Sequence, residues 1–128
     1  MWSLRLIVRG RWGEIQALVK SDRFELGDFL TSLEESDPAT HIRIVKLLDR
    51  IAEFGPPRNP YQFKQVRNNL YEIKSGRARM FGFYHPSVQK FIIITHGWSK
   101  GARREQTQQI KRAEHLRDEY IATTRTHK

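Results

Sequence analysis

The segment Asn69–Lys100, NLYEIKSGRARMFGFYHPSVQKFIIITHGWSK, restricts the fold more than any other stretch of the chain. Three runs rich in β-branched and aromatic residues follow one another in it: Leu70–Lys74, Arg77–Tyr84 and Val88–Thr95. Ser75-Gly76, His85-Pro86-Ser87 and His96-Gly97 punctuate them. Apolar runs of this length between turn residues predict consecutive antiparallel hairpins. Strands this apolar need cover on at least one face, so the rest of the chain has to supply helices. The cations scattered along the runs need a different reason to be there.

Upstream, Leu4, Leu6 and Val8 alternate with Arg5 and Arg9, the period-two pattern of a half-exposed strand. The pattern of Trp12–Val19 fits a further strand or a helix equally well. Asp28–Glu35 carries Phe29, Leu30 and Leu33 at helical spacing. A second helix starts at Asp37-Pro38, with Asp37 as N-cap and Pro38 in the first turn. Ile44, Leu47, Leu48 and Ile51 form its apolar stripe, and Gly55-Pro56-Pro57 ends it. Arg58–Lys64 reads as an irregular connector. After the third strand, Arg103–Ala122 predicts a helix whose Ile110, Ala113, Leu116 and Tyr120 dock on the sheet. Its outer face carries Lys111, Arg112 and Arg117, and the polar tail from Thr123 is expected to fray. The expected architecture is a single α+β domain over residues 1–128, with an N-terminal strand, a helical hairpin, a three-stranded antiparallel meander and a C-terminal helix. All helices are expected on one sheet face.

The net charge of +9 is unevenly placed. Residues 1–63 hold 9 basic and 9 acidic side chains, whereas residues 64–128 hold 14 basic and 5 acidic ones. The whole excess therefore lies on the meander and the last helix, and a polarised basic surface attracts polyanions, nucleic acid foremost. The plainer reading is a basic face that serves solubility alone. The chain has no cysteine, which excludes disulfides, thiolate metal sites and a thiol nucleophile. Leu4–Val8 is too short, and too interrupted by arginine, for an export signal or a membrane span. A cytoplasmic protein without membrane association is expected.

Five stretches in order resemble the RelE/HigB superfamily, the toxins of type II toxin–antitoxin modules. They are LYEIK (Leu70–Lys74), an arginine on the next strand (Arg77 or Arg79), FIIITHGW (Phe91–Trp98), Lys100 and IKRA (Ile110–Ala113). Within that superfamily they look most like the phage-derived HigB-like branch. FLTSL (Phe29–Leu33) and RIVKLLDRIAEFGPP (Arg43–Pro57) resemble its paired helices, so the similarity runs over residues 25 to 121. The resemblance implies a RelE/ParE-like fold and a ribosome-dependent mRNA endoribonuclease that inhibits translation without metal or other cofactor. It also implies neutralisation by a cognate antitoxin, a DNA-binding protein with a helix-turn-helix. Some relatives on the scaffold instead poison DNA gyrase and are not nucleases, and a basic nucleic-acid-binding module is the coarser alternative. Many members carry a second lysine where this chain has Gly101, and a Thr-Pro helix start where it has Glu105-Gln106. Arg103 and Arg104 are placed to supply the missing charge.

Metal-independent RNA cleavage turns the 2′-hydroxyl on the adjacent phosphorus. It needs a proton acceptor, a proton donor for the leaving 5′-oxygen, and cations aimed at the phosphorane oxygens. Arginine suits the last task because its planar fork pairs two phosphate oxygens at once. The catalytic candidates are Arg79, with Arg77 behind it on the same predicted strand face, and Lys74 and Lys100 at strand ends. Glu72, on the face of Lys74, is either a base or that lysine's ion-pair partner. His96, placed by alternation with Ile92 and Ile94, is either an acid–base group or a satisfied buried histidine. Candidate RNA-binding residues are Arg103 and Arg104 at the last helix's N-terminus, Lys111, and Trp98, which would stack on a base or pack in the core. No pair of histidines has metal-ligand spacing.

Overall fold

The computed structural model describes residues 1–101 and 103–126; the side chains of Arg103, Arg104, Arg125 and Thr126 lie outside the described residues. The elements run β1 (Trp2–Arg9), β2 (Glu14–Lys20), α1 (Glu25–Ser36) and α2 (Pro38–Phe54). β3 (Phe63–Arg67), β4 (Leu70–Ser75), β5 (Ala78–Tyr84), β6 (Phe91–Ser99) and α3 (Arg103–Thr126) follow. The α+β class and the order of helices and meander are as expected. The sheet is larger than expected: six strands in the order β1-β2-β6-β5-β4-β3, with β2 parallel to β6 and every other pair antiparallel.

Trp12–Val19 resolves to strand β2, which hairpins onto β1 and joins the centre of the sheet. The connector ends in a strand, β3, on the far edge. β3 shows little alternation because a bulge separates Gln65 from Arg67. Phe63 packs on the face of Ile73 and Val66 on the opposite one. A bulge between Leu6 and Val8 likewise breaks the alternation in β1, so that Leu4 packs with Leu18 whereas Val8 joins Ile15 on the other face; Leu6 is exposed.

Helices cover both faces, which corrects the one-face expectation. α1 and α2 bury Leu26, Leu33, Ile44, Leu47, Leu48 and Ile51 against Ile15, Ile73, Met80, Ile92 and Ile94. On the other face α3 buries Ile110 and Ala113 against Leu70, Phe81 and Trp98, and Leu116 and Tyr120 against Leu18, Phe83 and Ile93. β5 and β6 are apolar at consecutive positions, the signature of strands buried on both sides. Local signals at the helix ends act as read. Asp37 accepts hydrogen bonds from the Thr40 N–H (3.3 Å) and hydroxyl (2.6 Å), and Gly55 ends α2 at φ 88°. α1 approaches β6 at Gly97, where a Cβ would lie 2.3 Å from the Phe29 ring.

Candidate nucleic-acid interface

Strand register assembles the site. β4 and β5 form a hairpin around Gly76, whose φ of 57° suits the turn, and this sets Lys74 opposite Arg79. Arg79 in turn pairs with Trp98 of β6. One rung further along the strands, Lys64 of β3 pairs with Glu72, Glu72 with Phe81, and Phe81 with His96. Leu70, Phe81 and Trp98 place these two rungs on the face of α3. The apolar ends of the rungs attract α3 and disappear beneath it. Of the charged groups on the rungs, Lys64 stays exposed and Arg79 half-buried, whereas the Lys74 side chain is only 16 % exposed.

Glu72 is 2 % exposed. One carboxyl oxygen lies 4.0 Å from the Lys74 ammonium, the limit of an ion pair, and the other has no partner among the described residues. Burial holds the Lys74 pKa below the ordinary lysine value; Glu72 opposes this, while Arg79, Lys64 and Lys100 add to it. The ammonium therefore gives up its proton more readily than a surface lysine does. The Arg79 Nη1 donates to the Gly76 carbonyl and, at 3.1 Å, to the Ala78 carbonyl, and the rest of its fork has no protein partner among the described residues. Lys100 is exposed just beyond β6, its backbone N–H donating to the Arg77 carbonyl at 2.8 Å.

Other candidates fall elsewhere. Arg77 precedes β5, so strand alternation does not carry it onto the face of Arg79. The Asp37 carboxyl is held below the usual range first by hydrogen bonds from Thr40, with smaller help from Arg43 and Arg77, which puts the Arg77 charge toward the start of α2. Trp98 takes the packing role of its two readings: it is 6 % exposed and stacks on Phe81 at 6.5 Å, leaving no free ring face for a base. On α3, Lys111 is exposed, whereas Arg112 is held by Glu25 at 2.6 Å and Arg117 by Asp118 and the Asn68 carbonyl. The side chains of Arg103 and Arg104 lie outside the described residues.

His96 changes face relative to the expectation. A bulge at Thr95, where Gly82 pairs with Ile94 and Phe81 with His96, turns the imidazole away from Ile92 and Ile94 and toward α3. There it is 2 % exposed, with Nε2 2.7 Å from Gln109 Oε1 and Nδ1 3.1 Å from Thr95 Oγ1. Both nitrogens are engaged, the arrangement of a satisfied structural histidine. Burial is the main cause that lowers its pKa below 6.5. The unfolded chain consequently binds a proton first as pH falls, and stability should decline progressively below about pH 6.5. Thermal unfolding between pH 5 and 8 measures this, and His96→Phe should flatten the acid limb.

Lys64 and Gln109 are site neighbours that sequence reasoning passed over. A usable signal existed for Lys64. Asn68-Asn69 joins β3 to β4 with Asn69 at φ 48°, and asparagine at positive φ marks a hairpin turn. Gln109 has no such signal, because only the bulge brings His96 to it. Among the described residues no group of three or more His, Asp or Glu side chains is placed to hold a metal ion, and no helix is long and apolar enough to cross a membrane.

Residues 29–118, which contain both rungs, match the model of the family described as Phage derived protein Gp49-like (DUF891). The chain belongs to this family. Gp49-like proteins are a toxin-like family associated with RelE/HigB-type modules. No curated protein matches this Gp49-like chain.

Proposed function

We propose that this Gp49-like protein is the toxin of a type II toxin–antitoxin module and acts in the cytoplasm as a ribosome-dependent, metal-independent mRNA endoribonuclease. The carrying observation is the Lys74–Arg79 rung, two cations paired across a hairpin above the buried Glu72, with Lys64 and Lys100 flanking it. Arg79 would hold the phosphorane oxygens with the donors that the Gly76 and Ala78 carbonyls leave unused. Lys74 and Lys100 would handle the protons, and the lowered pKa of Lys74 suits it to that work. Glu72 is too deeply buried to meet a 2′-hydroxyl directly, and its carboxyl serves as the counter-charge beneath Lys74. An antitoxin would cover part of this basic face.

Mapping message ends after induction without the antitoxin tests the reading. Cuts in phase with codons in translated messages are expected. Growth arrest with a DNA-damage response and intact messages would instead make the protein a gyrase poison on the same scaffold.

A further inference from the structure

The cations on the α3 face are stepped rather than level. Lys64 stands on β3, and Lys74 and Arg79 one rung further along on β4 and β5. With strands about 4.8 Å apart and about 3.3 Å of rise per residue, Lys64 lies about 8 Å from Lys74 on a diagonal that leads on to Arg79. Among the described residues, Lys64 has neither an ion pair nor a side-chain hydrogen bond, and it is exposed on an edge strand. A pleated sheet thus offers a slanted line of positive charge, walled on one side by α3, and such a line fits a flexible polyanion better than a compact one.

We propose that Lys64 binds a backbone phosphate of single-stranded RNA adjacent to the one held by Lys74 and Arg79, so that the strand crosses β3 to β5 obliquely. This inference rests on the proposed reading of the face as an RNA interface, and assigns Lys64 to binding rather than to chemistry. Lys46, exposed on α2 on the opposite side of the sheet, is the control.

Binding of a short fluorescent oligouridylate to the purified chain, titrated over a range of salt, is the test. Lys64→Ala should weaken binding and reduce the slope of log affinity against log salt by about 0.7, the share of one phosphate contact on a single strand. Lys64→Arg should restore both, and Lys46→Ala should change neither. In ribosome-dependent cleavage Lys64→Ala should raise KM by a larger factor than it lowers kcat. Unchanged affinity and slope in Lys64→Ala overturn the proposal. So does a lowered melting temperature with unchanged affinity, which would make Lys64 a counter-ion of Glu72. A protein that binds the probe through Lys64 but cuts no message would keep this inference and overturn the nuclease reading alone.

Discussion

Arg79→Ala is expected to lower mRNA cleavage by about 10²- to 10³-fold, the usual consequence of removing one preorganised donor from a developing oxyanion. The fold should survive. The guanidinium donates only to the Gly76 carbonyl in the turn and the Ala78 carbonyl at the start of β5, so the stability loss should be about 1 kcal/mol. Growth arrest on induction should disappear while the circular dichroism and melting temperature of the variant stay near those of the parent. Arg79→Lys keeps the charge without the planar fork and should recover only part of the activity. Undiminished toxicity in Arg79→Ala would remove this residue from the mechanism. The neighbouring Arg77→Ala serves as contrast: its charge lies toward the start of α2, so its effect should be small.

Phe81→Ala should be the most destabilising single change at the site, by about 3–5 kcal/mol in urea unfolding. Phe81 is fully buried, stacks on Trp98, and packs against Leu70, Ile110 and Ala113 where α3 meets the sheet. A domain of this size has about 5–15 kcal/mol in total, so the variant would lose a large share of it. The same ring sits between Glu72 and His96 on its rung. Its loss should therefore loosen the floor under the cations, as well as the helix docking. A cost below about 1 kcal/mol would mean that the cavity collapses and that α3 is held mainly by Leu116 and Tyr120.

Local signals carried much of the outcome. The turn at Ser75-Gly76, the Asp37-Pro38 helix start, the Gly55-Pro56-Pro57 stop and the apolar stripe of α3 depend on neighbours within a few residues, and each could be read directly. The excess of charge in the second half coincides with the strands that carry Lys64, Lys74 and Arg79. Lys74 and Arg79 flank one short turn, so their pairing follows from local geometry.

Other features depended on contacts distant in sequence. Arg77 and Arg79 look equivalent in the chain, yet the point at which pairing begins leaves Arg77 in the turn and puts Arg79 on the sheet. His96 follows a simple alternation until the bulge at Thr95 reverses it, and that bulge arises from the match between β5 and β6. Lys64 read as connector because an edge strand with one partner and a bulge shows little periodicity. The choice of face for α3 depended on both sides of β5 and β6 being apolar, which sequence shows without saying which helix covers which side. The sequence by itself thus determined the α+β class, the ends of α2, the hairpin with its two cations and the basic half. Only the tertiary structure decided which cations share a face, because one shifted residue in strand register moves every later side chain to the other side of the sheet.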